Sequence, residues 1–149
     1  MNRFIFIATL LALFATSTSE GQDTESAAIM SGTIMEAMVV TITPASDIIW
    51  GVEDPQTDEE WQVLDDAVAT LMESFEATRK GGGGPNDDAW ASEAGFQVYI
   101  DQEMVALEQA RAAIEARDLD GLFDAGGELY TPCEECHIDY NPAVSGEEF

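Results

Sequence analysis

The chain has 149 residues, 30 of them acidic against five basic, for a formal net charge of −25. A charge of that sign and size argues against nucleic acid and against anionic membrane surfaces as partners, because both are held by clustered Lys and Arg. Two readings of the acidity stay open: steering toward a basic partner, or a solvated acidic shell suited to salty surroundings.

The N-terminus reads as an export signal. Met1-Asn2-Arg3 carries one positive charge, and Phe4 to Phe14 forms an apolar run of eleven residues. The small residues Ala15 to Ser19 then offer cleavage after Ser17 or Ser19. The run is too short to span a bilayer, so the expectation is a cleaved signal over 1–19, a periplasmic location and one domain over 20–149. No Cys follows the run, which argues against a lipid anchor.

Four helical segments are predicted beyond the signal. The first runs from about Thr24 to Ile42 and ends before Pro44, with Ala45 to Val52 adding a further turn or two. At 100° per residue, Ala27, Met30, Ile34, Ala37, Met38, Thr41 and Ile42 share one sector, with Met38 near its centre and Met35 at its edge. The second helix starts at Thr57-Asp58-Glu59-Glu60, a capping box in which Thr57 and Glu60 each satisfy a backbone donor of the other. Trp61, Leu64, Val68, Leu71, Met72 and Phe75 follow at helical spacing, and Arg79-Lys80 suit the negative end of the helix dipole. Gly81 to Pro85 is a loop. The third helix is expected from Asn86 to about Arg117, with Trp90, Ile100, Met104, Leu107 and Ile114 as its apolar line. Asp118-Leu119-Asp120 caps a fourth, which carries Leu122, Phe123, Leu129 and Tyr130. Within it, Pro132 has no N–H for an interior bond, so a kink or a restart capped by Thr131 is expected. Gly126-Gly127 reads either as clearance for a close neighbour or as a weak point in the helix. Strand signals are nearly absent. Amphipathic helices joined by mostly short connections predict an all-α chain, a four-helix bundle.

The chemistry concentrates at Cys133-Glu134-Glu135-Cys136-His137, which contains both cysteines and the single histidine. C-x-x-C-H is the pattern of covalent haem attachment. Two thiols add across the haem vinyl groups, and a histidine directly after the second falls beneath the iron as proximal ligand. A thioredoxin-like pair needs a βαβ setting that this helical chain lacks. A zinc site needs a fourth ligand, and no further Cys or His exists. A plain disulfide leaves the adjacent histidine unexplained. The expectation is one covalent haem c, on Cys133 and Cys136, with His137 on the iron. A sixth ligand, where there is one, is expected to be a methionine, which raises the potential. Met72 and Met104 sit where core methionines fill gaps. On the first helix Met30, Met35 and Met38 are candidates for the distal iron position, with Met38, the most central on the buried stripe, first and Met35 the named alternative.

With this motif at the end of the last of four helices, residues 24–141 resemble the cytochrome c′ family, the class II c-type cytochromes. The stretch YTPCEECHIDY, Tyr130 to Tyr140, is the most specific part of the likeness. MVVTITPASDIIW (Met38 to Trp50) and TDEEW (Thr57 to Trp61) resemble an exported bacterial branch related to that family. The resemblance implies that the first helix builds the distal side of the haem. It implies a low-spin electron carrier where methionine stands there, and a five-coordinate protein binding nitric oxide or carbon monoxide where an apolar residue does. Homodimers are common in the family. The family often has a basic residue four positions after the proximal histidine, whereas this chain has Asn141, which counts against nitric oxide chemistry on the proximal side. No second histidine or metal cluster joins the motif, so electron transfer to a redox partner protein is expected rather than enzymatic turnover.

Overall fold

The computed structural model describes residues 32–141 and 143. The expected signal over 1–19, its cleavage site, and the expected first turns from Thr24 onward lie outside the described residues. Within them the chain is all-helical, with no strand.

The first rod is built in three pieces: α1, Ile34–Ala37; a π-helical turn, Met38–Ile42; and α2, Thr43–Trp50. The Thr33 hydroxyl caps it by accepting the Glu36 N–H at 2.9 Å. The sequence led us to expect a stop before Pro44, and the rod instead runs through it. The wide turn resolves the conflict. Its Thr43 N–H reaches back five residues to the Met38 carbonyl, which alters the spacing just where proline cannot donate and would crowd an ordinary α-turn.

Helix α3, Asp58–Thr78, opens with the expected capping box between Thr57 and Glu60. Trp61, Leu64, Val68, Leu71 and Phe75 are buried along one face. The third predicted helix is two. Helix α4, Asp87–Ala91, stops at Ser92, and α5, Ala94–Ala116, restarts after an extended Glu93. The Ser92 hydroxyl donates to the Ala89 carbonyl at 2.6 Å, the local competition with helix bonding that serine offers.

The glycine loop has a specific job. Buried Asp87 accepts N–H bonds from Gly84 at 2.8 Å and from Ile34 at 2.9 Å, and so ties the loop to the start of the first rod. A Cβ on Gly84 would stand 2.5 Å from that carboxylate, and Gly81 has a positive φ of 94°. Both positions therefore need glycine.

Helix α6, Leu119–Tyr140, is capped by Asp118, whose carboxylate accepts the Gly121 N–H at 3.1 Å. It runs unbroken through Pro132, so Thr131 is not an N-cap and no restart occurs there. Proline donates no backbone hydrogen bond there, and its ring is buried. At the glycine pair the neighbouring helices do not require clearance: a Cβ on Gly126 would make ordinary contacts no closer than 3.5 Å, and one on Gly127 would meet nothing.

Helices α5 and α6 pack along each other, α3 lies on α5, and α2 lies mainly on α3 with a lighter contact to α6. One apolar core joins them, centred on Ile49, Leu71, Phe96, Leu107, Leu122 and Leu129. No described helix is long and apolar enough to cross a membrane.

Candidate functional site at the C-x-x-C-H motif

Two residues fix where the motif faces. On α6, Leu129 and Pro132 are buried, so Cys136, one turn beyond Pro132, turns inward as well and Cys133 lies at the margin. Opposite them stands the first rod, with Ile42, Ala45, Ser46 and Ile49 buried. Between the two is a cavity of about 100 Å³, lined among others by Met38, Phe75, Glu103, Cys133, Cys136 and His137.

The residues singled out in the sequence thus come together from the first rod and the last helix. Met38 is half-buried at the cavity wall, whereas Met35 is 65% exposed on the outer side of its turn. Met72 and Met104 pack against the apolar core and do not line the cavity. His137 reaches the cavity edge but is largely exposed.

Both cysteines are free thiols. Burial, then the nearby Glu103 charge, pushes the Cys133 thiol far above its usual range. The same two causes, with Asp139, push Cys136 up to about 12. Both are protonated at neutral pH, the opposite of the low-pKa thiolate in a redox-active pair. Nor do three His, Cys, Asp or Glu side chains converge on a metal position among the described residues. Two intact S–H groups beside one histidine in an apolar recess are the chemistry that thioether attachment of a haem needs.

Sequence reading missed Glu103. It is 2% exposed, and its Oε2 has no hydrogen-bond partner. Burial raises its carboxyl to about 7, with the Cys133 thiol, as a hydrogen-bond donor, pulling partly the other way. The signal was present: Glu103 follows Ile100 by three and precedes Leu107 by four, an acid on the apolar stripe. Tyr99, also at the cavity, donates to Asp139 at 2.7 Å, and that bond, with some burial, pushes its phenol up to about 12. Trp50 braces the far end, donating its indole N–H to the Gly126 carbonyl at 2.9 Å and meeting Tyr130 edge-on at 6.1 Å. A larger open groove of about 520 Å³ runs between α5 and α6 past Val105 and Pro132, but neither a cysteine nor the histidine lines it.

Comparison with family models, with curated proteins and with solved structures gave no match for the chain.

Proposed function

We propose that this chain is a periplasmic monohaem c-type cytochrome on a four-helix bundle, similar to the cytochrome c′ family, that carries single electrons between protein partners. The observation that carries the reading is the shared cavity: Met38 from the first rod faces the free thiols of Cys133 and Cys136 and the edge residue His137. The donor set fits a covalent haem c. Cys133 and Cys136 would hold it by thioethers, His137 would take the proximal side of the iron and Met38 the distal side.

When bound, the haem supplies a one-electron couple at its iron. The protein's part is to hold, orient and exclude. Ile42, Phe75 and Ile100 give the recess an apolar lining. Met38 would offer the iron a thioether sulfur, a ligand type that raises the potential. A porphyrin is larger than the cavity, so seating it requires the first rod to stand off from α6, and their contact is the lighter one in the core. The acidic surface would draw a basic redox partner.

Extraction of the protein, expressed in a cytochrome-maturing host, with acidic organic solvent tests the attachment. The polypeptide should keep its colour, with a mass equal to the cleaved chain plus one haem. A colourless chain with a Cys133–Cys136 disulfide would overturn the reading. The spectrum then tests the sixth ligand. A low-spin ferric form with a far-red sulfur-to-iron band is expected, whereas a high-spin form binding carbon monoxide quickly would move the protein to the five-coordinate gas-binding class.

A further inference from the structure

Among the acidic side chains of the described residues, Glu103 is set apart by what surrounds it. Helix α5 carries it on the buried stripe between Ile100 and Leu107, and it is 2% exposed. The groups lining its cavity are phenol, thiol and hydroxyl on Tyr99, Cys133, Cys136, Thr43 and Ser46, the imidazole of His137 at the edge, and apolar side chains. No Lys or Arg lines it. Arg79, which closes α3 and reaches across to Asp101 on the helix of Glu103, is engaged by Glu76 at 3.3 Å and by Asp101 at 2.8 Å. One carboxyl oxygen, Oε2, is left without a partner.

A buried acid without a counter-ion works against folding, and side chains kept at such a cost mark functional sites. Its place says which function. Glu103 shares a wall with the two thiols and with both iron-ligand candidates, so whatever those residues hold lies beside its carboxyl. A charge on a side chain only 2% exposed acts through a lower dielectric than one in water and is weakened less by salt. The surface acids act through water and are screened within roughly 8 Å at physiological ionic strength.

We propose that Glu103 sets the reduction potential of the group held in this cavity by placing one unscreened negative charge beside it. The inference rests on the haem reading above. An adjacent negative charge favours the oxidised, more positive iron, so Glu103 opposes the upward pull of a methionine ligand and holds the potential down. No bond is made or broken; the carboxylate acts through its field alone.

The test is Glu103→Gln, which keeps shape and hydrogen bonding but removes the charge, compared with Glu108→Gln on the exposed side of the same helix. Potentials are measured on the covalently loaded proteins at about pH 9, where the Glu103 carboxyl is ionised, in low and in high salt. Glu103→Gln should raise the electron affinity at least tenfold, about 59 mV for one electron, with little change on adding salt. Glu108→Gln should shift far less, and its shift should fade as salt rises. Should Glu103→Gln mature poorly, Glu103→Met, apolar and of similar length, should move the potential the same way. Equal shifts in the two Gln variants, or a Glu103 shift that salt removes, would overturn the assignment. Mass and spectrum separate the failures. A chain without covalent haem ends the functional reading and this inference with it, whereas a loaded, spectrally normal Glu103→Gln protein at the parent potential ends this inference alone.

Discussion

The two ends of the molecule obey local rules to different degrees. At the end where α3 begins and α5 turns into α6, all residues but Arg117 do what their chemistry favours. Thr57 and Glu60 close a capping box, Asp118 caps α6, Asp58 pairs with Arg117, and Ile114 and Leu122 are buried. Toward the cavity the exceptions gather: a π turn before a proline, a second proline inside α6, a buried acid with an unpartnered oxygen, and a buried thiol beside a half-buried one. Departures from local consistency cost stability, and their gathering in one place is the mark of a site shaped for something other than folding. The regular capping and the departures from it thus occupy different ends of one small core.

The largest effect should come from breaking the regular part. Leu107 is fully buried, and Leu107→Ala should cost about 2–5 kcal/mol in denaturant unfolding while leaving the cavity's spectrum unchanged. Met38→Ala should do the reverse. Met38 is only half-buried, so unfolding should change less, while the far-red band is lost, the potential falls and carbon monoxide enters faster. Met35→Ala, on the exposed side of the same turn, should do little to either. Loss of the band in the Met35 variant alone would show that the other sulfur is the ligand.

That asymmetry also explains what could be read in the sequence. The capping box at Thr57, the Asp118 cap and the apolar lines of α3, α5 and α6 follow from spacing and propensity, and the helices stand where those signals put them. The wheel set Met38 on the inner face and Met35 at its edge, and in the folded rod Met38 is half-buried while Met35 is 65% exposed. The stop expected before Pro44 and the restart expected at Pro132 misled for one shared reason. Proline's cost inside a helix is local, about 3 kcal/mol, and packing around Pro132 or a widened turn before Pro44 can absorb it without a break. Ser92 and Glu93 divided the third helix through a side-chain bond that periodicity does not register. Glu103 was legible as an acid on an apolar stripe, but the cavity it faces is made by a helix far away in sequence.

A smaller effect should appear in the acid limb of the haem-free chain. The Glu103 carboxyl is raised to about 7 when folded, chiefly by burial, against 4.5 as the ordinary value. A carboxyl raised by folding penalises the native state once it ionises. Its contribution to stability is therefore greatest below about pH 4.5, falls as pH rises, and levels off above about 7. The full difference is on the order of 3 kcal/mol. Glu103→Gln should remove that part of the pH dependence and leave the chain more stable than the parent near pH 8. Equal slopes for the two proteins between pH 4.5 and 7 would show that Glu103 finds a partner when folded. Thr57→Ala, at the regular end, should cost about 1 kcal/mol for the lost cap.

The smallest effect tests the one place where the regular end itself bends a rule. Arg117 closes α5 in the left-handed region, with φ of 53°, a conformation that costs a side-chain-bearing residue on the order of 1 kcal/mol and glycine almost nothing. Its compensation is the ion pair with Asp58, but both side chains are more than half exposed, and such pairs contribute about 0–1 kcal/mol. In low salt the two terms nearly cancel, so Arg117→Gly should leave the unfolding midpoint almost unchanged. In high salt the pair is screened and the strain remains, so the glycine variant should become more stable than the parent by about 0.5–1 kcal/mol. Arg117→Ala loses the pair and keeps the strain, and should be the least stable of the three in low salt. If alanine and glycine at this position are equal in both salts, the left-handed turn carries no strain, and the Asp118 cap alone sets how the chain reverses between α5 and α6.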